Sequence, residues 1–232
     1  MTNSFFSWSR LFEYIPLLIK KLPVTFEIVF LSFILGSLLA LLLAVIRIKK
    51  IPVLSQIIRV FISFERGTPM LVQMLVVYYA LPLALEALLD ISTRGWNRMT
   101  FVIITFILNE GAFLSETYRA SIIAIPKGQR EAALACGLTG SQTFFKIILP
   151  QAIRIAIPPA GLNLIGIFQS TSLVYMIGVL DMLGMANAIG ARTGHTIESY
   201  LFITLIFVIV NQLLTALFRK IDKNLVFTSK RR

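Results

Sequence analysis

Five long apolar runs constrain this chain more than any other feature. They cover about residues 24–46, 57–89, 99–123, 152–180 and 200–218. An α-helix rises ~1.5 Å per residue, so about 20 apolar residues cross a hydrocarbon layer ~30 Å thick. No run alternates with the two-residue period of a membrane strand. Composition agrees: 57% of the residues are hydrophobic and 14% charged, against about a quarter charged in a soluble domain. The expected fold is an all-α integral membrane protein, a bundle of five transmembrane helices forming a single domain over residues 1–232. Glu65-Arg66-Gly67-Thr68-Pro69 interrupts the second run, so its crossing part is expected at about Met70–Leu89. Residues 1–23 carry Glu13, Lys20, Lys21 and two prolines, and no cleavable leader is expected there.

The net charge of +11 comes from 22 Lys and Arg against 11 Asp and Glu. These cations lie between the apolar runs rather than along one stripe, which suits membrane orientation better than nucleic-acid binding. Fifteen of the 22 lie in or close beside the connections after the first run, between the third and fourth, and after the fifth. That side is expected to be cytoplasmic, with the N-terminus outside and the C-terminus inside. The tail Lys230-Arg231-Arg232 reads as a topology anchor.

Enzymatic chemistry has little to stand on. One cysteine, Cys136, excludes a disulfide framework or a multi-Cys metal site. The one histidine, His195, reads as a solvated loop residue, and Asp90 and Asp181 fall at the expected outer ends of spans. An intramembrane hydrolase or metalloenzyme would need a constellation these residues do not form. No Gly-x4-Gly-Lys-Ser/Thr segment is present to cradle nucleotide phosphates. Five spans also fall short of a complete translocation pathway, which points to an assembly rather than a stand-alone channel.

The connection at about residues 125–151 is patterned. Pro126 has the preset φ of a first helical position, Glu131-Ala132-Ala133-Leu134-Ala135 favours a helix, and Gly137 suits a left-handed stop. Thr139 with Gln142 fits a capping box for a second helix, with Phe144, Phe145, Ile147 and Ile148 as its apolar face and Pro150 closing the turn. The expectation is two short helices lying along the membrane.

Glu131, Ala132, Ala133, Gly137, Ile147, Leu149 and Pro150, at this spacing, resemble the coupling loop of type I ABC importer permeases. Arg66-Gly67-Thr68-Pro69, Ile125-Pro-Lys-Gly-Gln129 and Thr171-Ser-Leu173 resemble motifs of the polar amino acid branch. The resemblance implies the membrane-spanning subunit of an ATP-driven importer in the bacterial plasma membrane. Such a subunit would move a polar L-amino acid by alternating access and would not itself be an enzyme. Implied partners are two ATP-binding cassette subunits, a second permease chain (identical or homologous), an external solute-binding protein, the substrate and membrane lipid, but no nucleic acid. The chain would bind no cofactor or metal; ATP and Mg belong to the partner subunit. Another small solute remains the alternative cargo. Gln169-Ser170 stands where the branch has Lys-Asp, so cationic amino acids, cystine and glutamine all stay open.

Asn109, Glu110 and Glu116 lie inside the third run, where ionisable groups are costly. Asn109 and Glu116 share a helical face, and Arg119 can reach Glu116. Two uses are open: Glu116 with Arg119 as packing, or Asn109, Glu110 and Glu116 lining the substrate pathway with Gln169, Ser170 and Thr171. A carboxylate would face a substrate ammonium, and amides or hydroxyls its carboxylate. Arg66, Gly67, Thr68, Pro69 and Arg119 read as structural, with Arg66 satisfying carbonyls freed at the bend. Glu27 is expected to face the interior of the first span.

Overall fold

The computed structural model describes residues 6–229, with side chains to residue 223; the basic tail at 230–232 lies outside the described residues. No strand occurs among the described residues. The chain is α1 (Trp8–Ile19), α2 (Leu22–Ile48), α3 (Leu54–Gly67), α4 (Met70–Leu89), α5 (Arg98–Ile123), α6 (Lys127–Ala135), α7 (Gly140–Thr143), α8 (Leu149–Ser170), α9 (Met182–Thr193) and α10 (Ile197–Ser229). A π-turn at Phe144–Ile148 joins α7 to α8, and a 3₁₀ turn at Thr171–Ile177 follows α8. Five segments are long and apolar enough to cross a membrane: Trp8–Ile48, Met70–Leu89, Arg98–Ile123, Gly140–Ile177 and Ile197–Lys223. In hydrocarbon a helix bonds every peptide group within itself, which is why each apolar run becomes one. Leu83 on α4 and Leu201, Leu205, Val208 and Leu213 on α10 stand exposed. In water each would forfeit about 1.5–3 kcal/mol of burial, so this surface suits lipid.

Two helices escape the sequence reading. α1 is amphipathic, and Pro16 with Lys20-Lys21 conceals it. α9 has weak hydropathy but clear end signals: Asp181 accepts a hydrogen bond from Gly184 N–H at 2.8 Å, and Gly194 ends the helix at φ 74°. The fourth run shows no break at Pro158-Pro159; α8 continues to Ser170 and changes only at Thr171.

The chain packs as two compact units, each drawing on α2, α5, α8 and α10. The first comprises Met1–Ile34, Thr68–Ile107 and Ile165–Leu213. Its core joins Tyr14 and Leu18 of α1 to Met182, Ala186 and Ile189 of α9 and Ile203 of α10. Buried Glu198 anchors this corner: it takes Arg10 Nε at 2.8 Å and the Ser7 N–H at 2.9 Å. His195 lies in the loop after Gly194, as expected, but is not fully solvated. It is partly buried, with Nε2 3.4 Å from Arg10 Nη1.

Glu27 also departs from expectation. Thr25, Ile28, Val29 and Ser32 form the buried face of α2, which leaves Glu27 exposed beside Phe26 and Phe30. At 100° per residue, position 27 lies about opposite position 25.

The second unit comprises Leu35–Gly67, Leu108–Leu164 and Leu214–Arg232. Leu43 of α2, Ile58 and Ile62 of α3 and Ala112 of α5 form its core. A Cβ on Gly111 would lie 2.6 Å from Leu39 Cδ2, so only glycine lets α2 and α5 come this close.

Asp181 makes stability pH-dependent. Burial pushes its carboxyl from 3.8 up to about 6, although the cap bond from Gly184 pulls the other way. Its Oδ2 is buried without a hydrogen bond. The folded state therefore keeps a proton that the unfolded chain has lost. This contribution is full below about pH 4 and disappears as pH rises through 6, amounting to at most about 3 kcal/mol. Asp181→Asn keeps the cap acceptor and is expected to flatten the loss of melting temperature between pH 4.5 and 7. An equal slope in wild type and variant would refute the assignment.

Candidate functional site

α5 ends at Ile123, and only three residues separate it from the start of α6 at Lys127. Pro126 is the N-cap of α6, one position ahead of its expected place. A proline there has no N–H to lose and bars the preceding residue from helix. α6 ends in a Schellman arrangement: Gly137 N–H bonds the Leu134 carbonyl at 3.0 Å, and Leu138 N–H bonds that of Ala133 at 3.2 Å. Gly137 has φ 81°, the left-handed backbone that L side chains disfavour. Thr139 then forms the full capping box, accepting from Gln142 N–H at 3.2 Å while Gln142 Oε1 accepts from Thr139 N–H at 2.9 Å.

Beyond the cap the expectation of a second separate helix fails. α7 runs through the π-turn directly into α8, with Pro150 in the first turn of α8. Proline cannot donate the regular helical bond, and the π-turn spaces the backbone so that Leu149 N–H reaches the Phe144 carbonyl. The Gln151 side chain then takes the Ile147 carbonyl at 2.8 Å. Along this segment Glu131, Ala132, Cys136, Gly137 and Pro150 are exposed, Ile147 and Leu149 half-buried, and Ala133 buried. The exposed side of α6 therefore carries the Glu131 carboxylate and the small Ala132 among the longer Gln129, Arg130 and Leu134. Such a surface can receive another protein's backbone closely.

The residues expected along a substrate pathway divide by environment. Glu116 is committed: it pairs with Arg119 on its own helix, Nε at 3.1 Å, and with Arg47 of α2. Arg47 is 69 positions away, and no sequence signal named it. Glu110 is buried, with Oε2 making no hydrogen bond, and Asn109 is half-buried. Thr171 is buried and donates its hydroxyl to the Phe168 carbonyl at 2.7 Å, which leaves little for a ligand. Ser170 is half-buried and Gln169 exposed.

Gln169 lines a hollow of about 320 Å³ in the first unit, together with Ser172, Thr204, Phe207 and Asn211. Ser172, Thr204 and Asn211 escaped the sequence reading. The signal was present: Asn211 and Thr204 lie seven apart on one face of the apolar stretch of α10. Amides and hydroxyls above an apolar wall can hold a small zwitterion or amide without a fixed charge.

Arg66 does not satisfy the carbonyl freed at the Gly67–Pro69 bend. Gln73 does, donating Nε2 to the Thr68 carbonyl at 3.1 Å and to its hydroxyl at 2.9 Å. Arg66 lies over the Phe113 ring, 5.4 Å from its centroid, a cation–π contact. Pro69 caps α4.

Comparison with known proteins agrees with this architecture. The family profile described as "Binding-protein-dependent transport system inner membrane component" matches residues 32–226. The chain belongs to that family. This permease is 37% identical to the L-cystine transport system permease protein TcyL of Bacillus subtilis over 95% of its own length and 92% of the relative's. It is 31% identical to the glutamine transport system permease protein GlnP of Escherichia coli K12, over 95% and 98%. A crystal structure of an amino acid ABC transporter with histidines superposes with a TM-score of 0.83 at 27% identity, covering 97% of this permease and all of that chain. The type I ABC importer resemblance thus stands, and the permease is a multi-pass plasma-membrane protein. Its family is one of transport permeases, with ATP hydrolysis on separate ATPase subunits and with solute-binding partners.

Proposed function

We propose that this permease moves a polar L-amino acid into the cell by alternating access, as one domain working in an assembly. The assembly holds two permease chains (identical or homologous), two ATP-binding cassette subunits carrying ATP and Mg, and an external solute-binding protein. The N-terminus lies outside and the C-terminus in the cytoplasm, as the Lys and Arg distribution requires. The capped, exposed coupling segment carries this reading. α6 presents Glu131 and Ala132, and Gly137 fixes the angle at which the chain turns into α7. Docking on α6 would move α5, three residues away, and the continuous α7–α8 rod together. Glu131 supplies a charge-assisted contact to the ATPase, while Ala132 lets the surfaces close.

The substrate reading follows from the polar hollow and from the cystine and glutamine relatives. Gln169, Ser172, Thr204 and Asn211 receive the polar groups of the amino acid, and Phe207 packs its stem. Glu110 stands as an ammonium partner along the pathway. Ser170 and Asn109 are further polar groups for the pathway, each on its own unit.

Gly137→Val strains the left-handed position by about 1–2 kcal/mol, although nothing within 4 Å obstructs the added side chain. In a complex with two identical permeases, Gly137→Val or Glu131→Ala is expected to cut uptake and substrate-stimulated ATP hydrolysis at least tenfold with assembly intact. Wild-type coupling in both variants would overturn the role of this segment.

A lost hydrogen bond to substrate costs about 0.5–1.5 kcal/mol. Gln169→Leu and Asn211→Leu are therefore expected to raise the KM for uptake about 3–10-fold. Glu110→Gln is expected to impair cationic amino acids more than neutral ones. Unchanged KM values for every transported amino acid would assign all three residues to packing.

A further inference from the structure

We infer that Arg47 is a positioning residue for transport: its hold on Glu116 makes α2 follow α5 when the coupling segment is displaced. The inference rests on the importer reading and names a residue that reading does not contain.

Glu116 has two cationic partners of different kinds. Arg119 lies three residues along the same helix and accompanies Glu116 wherever α5 goes, with Nε 3.1 and 3.2 Å from the two carboxylate oxygens. Arg47 reaches the carboxylate from near the end of α2, and it is the partner that ties Glu116 to another helix. Elsewhere in this unit the two helices are joined by the close approach of Leu39 to Gly111 and by the shared core of Leu43 and Ala112. The hydroxyls of Tyr118 and Ser37, 3.2 Å apart, add one weak bond. These contacts are apolar or neutral. Arg47 Nη1 adds a charge-assisted contact to Glu116 Oε2, the stronger kind of polar tie.

Position gives the pair its role. Glu116 lies two turns before the end of α5, and only three residues separate that end from α6. A push on α6 enters α5 at the end where Arg47 holds on. The side chains of Arg47 and Glu116 are only 15% and 26% exposed, so water and salt screen their attraction less than at an open surface. Two guanidiniums share one carboxylate, so removing Arg47 leaves Glu116 still paired with Arg119. The variant lacking Arg47 therefore buries no orphan charge, and loss of the inter-helix tie can be read without collapse of the site.

The test uses the assembled complex in liposomes with Arg47→Gln and Arg47→Lys. Arg47→Gln is expected to lower substrate moved per ATP hydrolysed at least fivefold, with the KM for substrate unchanged and ATP hydrolysis within twofold of wild type. Arg47→Lys should restore more than half of the ratio. A merely stabilising ion pair would reduce hydrolysis and uptake in proportion. That result, or a wild-type ratio in Arg47→Gln, overturns the inference.

A second readout does not depend on transport. Spin labels at exposed Val45 of α2 and Ile123 of α5, with Cys136→Ser, report the separation of the two helices. One narrow distance with and without ATP is expected with Arg47 present, and a broadened or second distance with Arg47→Gln. An unchanged distribution in Arg47→Gln overturns the inference even if the wild-type complex shows no substrate-stimulated hydrolysis, an outcome that would count against the importer reading alone.

Discussion

A peptide group without a hydrogen bond costs several kcal/mol in hydrocarbon, and the whole chain is arranged around that penalty. Where regular helix stops, a specific donor takes its place. At the bend before α4 the Gln73 amide closes on the Thr68 carbonyl. At the π-turn Gln151 takes the Ile147 carbonyl beside a proline that cannot donate. After α8 the backbone tightens to 3₁₀ geometry rather than opening. These departures fall where α7 joins α8, just after α8 and at Gly67–Pro69 before α4.

Charges obey the same economy. Glu116 and Glu198 are each met by arginine. Glu110 is buried with Oε2 unbonded, a feature it shares with Asp181 Oδ2 and Glu198 Oε2. The hollow is mostly apolar, walled by Leu183, Ile203, Phe207 and Val208, with Gln169, Ser172, Thr204 and Asn211 supplying its hydrogen-bonding groups and no charged side chain in its lining.

Much of this was legible in the sequence because it is local. Apolar length fixed the spans, and the signals at Gly137 and Thr139–Gln142 act within four residues. Arg119 meets Glu116 through simple helical spacing. Long-range facts were not legible. Arg47 meets Glu116 across 69 positions, and Arg66 finds the Phe113 ring rather than backbone carbonyls. Glu27 was assigned inward because charge in a span usually is, yet Thr25, Ile28 and Ser32 claim the buried face. Pro150 suggested a stop because a π-turn cannot be read from residue type. α1 was hidden by Pro16 and Lys20-Lys21, and α9 by its weak hydropathy.

The central claim is that the segment around α6 faces the cytoplasm and is covered by the ATPase. The chain carries its own probe, since Cys136 is its one cysteine and stands exposed at the end of α6. A membrane-impermeant maleimide can be applied to right-side-out and inside-out vesicles, with and without the ATPase subunits bound. The account predicts labelling of Cys136 only in inside-out vesicles, and strong protection once the ATPase is assembled. Labelling from the outer face, or undiminished labelling in the assembled complex, would contradict it.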